Sequence, residues 1–207
     1  WKSNLSIFEA GVVHAPNSSR TNAALGNEYY KLGYKETNQQ LRMSYFTDAL
    51  RYSKAALEIF PANSGAIYTI GLAYNGMGDK VKAAEYYRKT LTHDPKHRAA
   101  LNNLGTAFLE EKKYDSAYIY FKRCYDADTL FPKSSQNLAI YYFMVGNYNQ
   151  AIQFAANATR LNKYQLIGYD VLSKAYKALG NEAEAVNYQR LYNEMSAEAK
   201  EMNKVVE

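Results

Sequence analysis

Five alanines stand 34 residues apart: Ala49, Ala83, Ala117, Ala151 and Ala185. A fixed period between about 20 and 50 residues marks a stack of small units and argues against one globular core. Twelve residues before four of these alanines stands a small residue: Gly71, Gly105, Ala139 or Ser173. A branched aliphatic precedes it (Ile70, Leu104, Leu138, Leu172), and an aromatic follows three residues later (Tyr74, Phe108, Tyr142, Tyr176). An earlier copy opens on Leu25, Gly26 and Tyr29. Its gap to Ala49 is 23 rather than 12, so it carries 11 extra residues.

Each unit reads as two helices. Ile67, Ile70 and Tyr74, like Leu101, Leu104 and Phe108, follow a period near 3.6. A turn is expected at Gly78-Asp79, Gly146-Asn147 and Gly180-Asn181, with glycine as a left-handed C-cap and the Asp or Asn capping the next helix. The second helix, for example Lys82 to Thr92, stops at Pro61 or Pro95. Short side chains let helices approach closely, so Gly71 is expected to face Ala83, with the aromatics filling the space between neighbouring units.

The positions of these residues resemble the tetratricopeptide repeat (TPR): small at eight, aromatic at eleven, Ala at twenty, aromatic at twenty-four (Tyr87, Phe121) and Pro at thirty-two (Pro61, Pro95). The match covers residues 19 to 199. Thr129 and Lys163 replace the last proline, Ala155 and Gln189 the second aromatic, and Pro132 arrives three residues late, which suggests a differently bent third junction. The resemblance implies an all-α, right-handed superhelical solenoid of antiparallel helix pairs. It would hold five repeats (19–63, 64–97, 98–131, 132–165 and 166–207) after a half-repeat at 1–18, all in one solenoid.

The ends and the insertion extend this pattern. Residues 1 to 16 read as the second helix of an incomplete unit, since Phe8 and Pro16 are spaced like Tyr87 and Pro95. A chain opening on Trp1 without methionine is expected to be a fragment or a processed product. It has no apolar run of about 18 residues, and no signal peptide is expected in it. Lys35 to Gln40 reads as a polar loop and Leu41 to Phe60 as one long helix. The insertion is either a tolerated surface extension or a binding element. A last helix from Ala183 to Glu207, with Val186, Leu191, Met195, Met202 and Val206 as its apolar stripe, is expected to cap the stack.

Composition narrows the function classes. Hydrophobic residues make up 47%, enough for a folded chain. Most of the 21 tyrosines fall at or beside stacking positions and read as core with polar tips. Net charge is +5, but the basic residues alternate with acids, as in Glu110-Glu111-Lys112-Lys113, so nucleic acid is not an expected partner. Cys124, the lone cysteine, reads as a packing thiol, so no disulfide framework exists. His14, His93 and His97 are expected to face solvent, and Pro95 separates the last two. No metal cluster, phosphate loop or nucleophile elbow is present, and neither catalysis nor a cofactor is expected. Asn4, Asn17 and Asn157 open glycosylation sequons, which recur by chance.

By the resemblance, first helices line a concave groove for a protein or peptide ligand. Its residues here are Arg20, Asn27 and Tyr30; Tyr68 and Asn75; Asn102, Asn103 and Thr106; Gln136, Asn137 and Phe143; and Asp170, Lys174 and Lys177. An amide both donates and accepts, so it pairs with peptide backbone without reading sequence. Asn103 and Asn137 form a partial ladder 34 residues apart, broken by Ala24, Thr69 and Val171. Arg20 and Asn27 match only part of the carboxylate-gripping set of chaperone-binding TPR domains, so chaperone docking is not implied.

A second, shorter resemblance covers the opening Trp1-Lys2-Ser3-Asn4-Leu5-Ser6-Ile7-Phe8 and Pro16-Asn17. It is similar to the joint between membrane spans and repeats in transmembrane-and-TPR glycosyltransferase-like proteins. It implies an alternative reading: the acceptor-recognition tail of a multi-pass membrane glycosyltransferase, itself spanning no membrane and facing away from the cytoplasm.

Overall fold

The computed structural model describes the backbone of residues 4–205 and the side chains of 4–202; Trp1 and Val206, used above, lie outside these. Among the described residues there are eleven helices and no strand. They are α1 (Asn4–His14), α2 (Ser19–Lys35), α3 (Gln39–Ile59), α4 (Ser64–Gly76), α5 (Lys80–His93), α6 (Arg98–Glu110), α7 (Tyr114–Ala127), α8 (Pro132–Met144), α9 (Tyr148–Leu161), α10 (Leu166–Ala178) and α11 (Glu182–Val205). The fold is all-α, built from consecutive helix pairs. The chain divides into two compact units, Trp1–Asn103 and Leu104–Glu207.

Local chemistry sets the helix ends. Ser18, Asn38, Asn63, Asp79 and Asn147 each accept a backbone N–H of the helix they open. Gly78, Gly146 and Gly180 take φ of +89°, +78° and +77°, the left-handed turn expected between paired helices. Lys112, in the same register, takes φ +58°, and Lys113 after it gives α7 no side-chain cap. Pro132 opens α8 instead of closing α7. The four residues 128–131 join these helices, as 60–63, 94–97 and 162–165 do elsewhere, so this junction keeps the common length.

The repeated alanines and aliphatics are the core. Ala49, Ala83, Ala117, Ala151 and Ala185 are buried, as are Leu25, Ile70, Leu104, Leu138 and Leu172. Burying each of these Leu or Ile side chains contributes roughly 1.5–3 kcal/mol. The nearest neighbour of Gly71 is the aromatic one turn beyond Ala83, and in the last pair the equivalent Ser173 hydroxyl donates to the Ala185 carbonyl at 2.9 Å. A Cβ on Gly71 would lie 2.7 Å from the Tyr87 ring, and one on Gly105 would lie 2.4 Å from Phe121. In these two pairs the small residue at eight seats the aromatic at twenty-four.

The other aromatics also pack within pairs rather than only between units. Tyr29–Tyr52, Tyr74–Tyr86, Phe108–Tyr120, Tyr142–Phe154 and Tyr176–Tyr188 stack with centroids 5.4–5.6 Å apart. Each joins the first helix of a pair to its second. Cations lie over several rings, closest where Arg51 covers Tyr52 at 4.3 Å.

The expected long helix is α3, and the expected loop contracts to the three-residue turn 36–38. α2 has 17 residues against 13 in α4, and α3 has 21 against 14 in α5. Those gains of four and seven account for the extra residues, while the turn 36–38 is as short as 77–79. The longer arm buries Phe46 completely. Its ring lies between Gly33 and Gly76, where added Cβ atoms would sit 2.7 and 2.4 Å away.

At the other end, α11 packs on α10 through Tyr188, and Lys163 bonds Glu198 at 2.8 Å. Leu191 and Met195 of its expected stripe are half-buried, whereas Val186 and Met202 are exposed. Cys124 is buried. No helix among the described residues is long and apolar enough to cross a membrane.

Candidate functional site

In unit Trp1–Asn103 the first helices α2 and α4 enclose a concavity of about 310 Å³, lined by Ala23, Ala24, Asn27, Gly65, Tyr68 and Thr69. The small residues Ala23, Ala24 and Gly65 recess the helix surfaces and make the hollow. Thr69 is buried, and its hydroxyl donates to the Gly65 carbonyl at 2.9 Å. That leaves the Tyr68 ring and hydroxyl and the Asn27 carboxamide to meet a ligand.

Tyr68 is held on several sides. Its hydroxyl oxygen accepts from Asn103 Nδ2 at 3.1 Å, and its ring lies 4.6 Å from His97 and 5.7 Å from Tyr87. Burial pushes the Tyr68 hydroxyl pKa well above the usual tyrosine value, so it remains protonated and able to donate. Asn103 also accepts from Asn102 at 3.4 Å. Tyr30 is half-buried, with its ring 6.0 Å from Phe46 and 6.2 Å from Tyr34. Arg20 and Asn75 are exposed.

In unit Leu104–Glu207, Gln136 and Asn137 are only 1% and 4% exposed. Thr106 and Phe143 are half-buried, and Phe143 packs 5.6 Å from Tyr148. Asp170 bonds Lys174 at 2.7 Å on the surface of α10, and Lys177 is exposed one turn on. Half-buried Lys133 stands beside Gln136 on α8, and burial lowers its pKa.

His97 is the residue that sequence reasoning misplaced. It is half-buried, and its Nδ1 accepts from the Ala100 N–H at 3.2 Å, capping α6. Burial lowers its pKa, as expected for an imidazole held neutral to act as an acceptor. The signal was in the register: His97 follows the capping Asn63 by one period of 34. The floor residues Ala23, Ala24 and Gly65 were missed because small apolar side chains advertise no chemistry. Asn157 donates to Ser135 at 2.8 Å and accepts from Arg160, so its carboxamide is already engaged. Among the described residues no group of three or more His, Cys, Asp or Glu is placed to hold a metal ion.

Comparison with known proteins agrees with this architecture. A tetratricopeptide-repeat family model matches residues 68–130. The type IV pilus assembly protein PilF of Pseudomonas aeruginosa is 32% identical over 117 residues, covering 54% of this chain and 45% of PilF. The chain thus spans less than half of that relative. The photosystem I assembly protein Ycf3 of Cyanophora paradoxa is 30% identical over 125 residues, covering 52% of this chain and 69% of Ycf3. The crystal structure of YrrB, described as a TPR protein with an unusual peptide-binding site, matches with a TM-score of 0.67 over 91% of both chains. At 14% identity that likeness speaks for the fold alone. Period, paired helices, turn geometry and relatives agree: this chain belongs to the tetratricopeptide-repeat family.

Proposed function

We propose that this chain is a non-catalytic interaction scaffold that holds an extended peptide segment of another protein against the first-helix face of unit Trp1–Asn103. The observation that carries this is the hollow between α2 and α4, where small residues make room and Tyr68 and Asn27 face it. The peptide-binding site ascribed to YrrB supports the same use of a TPR scaffold. Arg20, Tyr30, Asn75, Asn102 and Asn103 extend the surface on this unit. Unit Leu104–Glu207, taken by itself, offers a separate candidate surface of Thr106, Phe143, Asp170, Lys174 and Lys177, with Gln136 and Asn137 buried. Affinity for a single peptide is expected near micromolar, because an extended ligand loses much of its freedom on binding.

The transmembrane parent does not enter this reading. Of the motif behind it, Trp1, Lys2 and Ser3 lie outside the described residues. The following residues form α1, which reaches α2 through a 2.8 Å bond from the Tyr29 hydroxyl to Glu9.

The test is selection of binders from a displayed random-peptide library, followed by titration of the selected peptides onto Ala23→Leu and Asn103→Ala variants. The hollow predicts loss of binding in the first and weakening in the second. Selected peptides that bind both variants as they bind the parent chain would move the site elsewhere, first to the long α2–α3 arm.

A further inference from the structure

Resting on that peptide-binding reading, we infer that the hollow between α2 and α4 selects a proline-rich segment in the polyproline II conformation. The argument starts from hydrogen-bond inventory. The Tyr68 oxygen already accepts from Asn103 Nδ2, so the hydroxyl hydrogen is left to be given away. Asn27 makes no hydrogen bond to another described residue, so both its N–H donors are open. The Thr69 hydroxyl is spent on Gly65, and the carbonyls of Ala23, Ala24 and Gly65 are spent within their helices, whereas a first-turn N–H such as that of Gly65 has no intrahelical acceptor. The hollow therefore offers three side-chain N–H or O–H donors, with the Asn27 carbonyl as its open side-chain acceptor.

An ordinary extended peptide brings an N–H at every residue, and each one buried without an acceptor costs about 1–3 kcal/mol. Consecutive prolines bring carbonyls and no N–H, which is the complement of this wall. Shape agrees. The walls are methyls, a glycine and one tyrosine face, and proline-rich segments dock in aromatic-lined grooves of this kind. A volume of about 310 Å³ is at the small end for ligand sites, so it seats one or two pyrrolidine rings rather than a whole ligand. The polyproline II helix is already extended and loses little further entropy on docking, which suits a shallow site.

The test is fluorescence anisotropy of the whole chain with two labelled nine-residue probes, one of three Pro-Pro-Ala triplets and one of three Ala-Gly-Ser triplets. The proline probe is expected to bind at least ~10-fold more tightly, a difference of about 1.4 kcal/mol. Tyr68→Phe, which keeps the ring and removes the donor, is expected to weaken it several-fold. Ala23→Leu, which fills the hollow, is expected to abolish it while helicity by circular dichroism stays unchanged. Equal affinity for the two probes, or library-selected proline-free peptides that bind where the proline probe does not, overturns proline selection and leaves peptide binding standing. Proline-probe binding indifferent to both variants overturns the placement in this hollow. Failure of every library peptide to bind removes the peptide-binding reading itself.

Discussion

Tyr176 of α10 and Tyr188 of α11 stack with ring centroids 5.5 Å apart and planes 4° from parallel. The same contact recurs in every helix pair, so it is a unit of the repeat rather than a local accident. Aromatic pairs contribute about 0.5–1.5 kcal/mol beyond the area they bury. A double-mutant cycle on Tyr176→Leu and Tyr188→Leu, read by urea denaturation, is expected to show coupling in that range. Additive effects would mean that the stack is only adjacency.

Phe46 sits where the glycines leave space. Phe46→Ala is expected to destabilise the chain by about 3–5 kcal/mol. Gly76→Ala, normally favourable inside a helix by about 1 kcal/mol, is expected to destabilise the parent because its Cβ meets the ring. In the Phe46→Ala background the sign is expected to reverse. Thermal or urea melts of the four proteins check this, and a stabilising Gly76→Ala in the parent would contradict the packing.

Lys112 holds the left-handed turn that its counterparts give to glycine. A non-glycine residue there carries strain of about 1–2 kcal/mol. Lys112→Gly is expected to raise stability by about 1 kcal/mol. Lys113→Asn, which supplies the missing cap of α7, is expected to add about 1 kcal/mol more. A melting temperature that falls in the double variant would overturn the assignment.

The period, the paired helices and three of the turns were legible because each depends on residues close in sequence. Where the rings point was not legible, since Tyr87 on Gly71 and Phe46 between Gly33 and Gly76 are decided by the partner helix. The long α3 was legible in Leu41 to Phe60, while the loop before it is shorter than the polar run Lys35 to Gln40 suggested, because an exposed helix tip is polar for the same reason. The hollow was half legible: register predicted Asn27 and Tyr68, while Ala23, Ala24 and Gly65 carry no chemical signature. Gln136 and Asn137 show that polar residues on one helical face need not face solvent.

His97 makes stability pH-dependent. Its folded pKa is lowered by burial, with Asp94 opposing and Arg98 adding to the shift. The folded chain then binds fewer protons than the unfolded chain, so acid favours unfolding. The contribution is complete above the ordinary imidazole value of about 6.5 and is lost as pH falls through the lower folded value. The melting temperature is expected to be lower at about pH 5 than at pH 7.5. The gap should narrow in His97→Asn, which keeps a capping acceptor without a titrating ring. An unchanged gap would assign the effect to another group.

The four residues gained by α2 and the seven gained by α3 are close to one and two helical revolutions. Growth in whole revolutions returns each side chain beyond the addition to its former azimuth, which is why Ala49 still points inward. An appendage built this way can be lengthened or trimmed in quanta while the downstream array keeps its phase. An increment of two residues would instead swing the buried stripe to the far side of the rod.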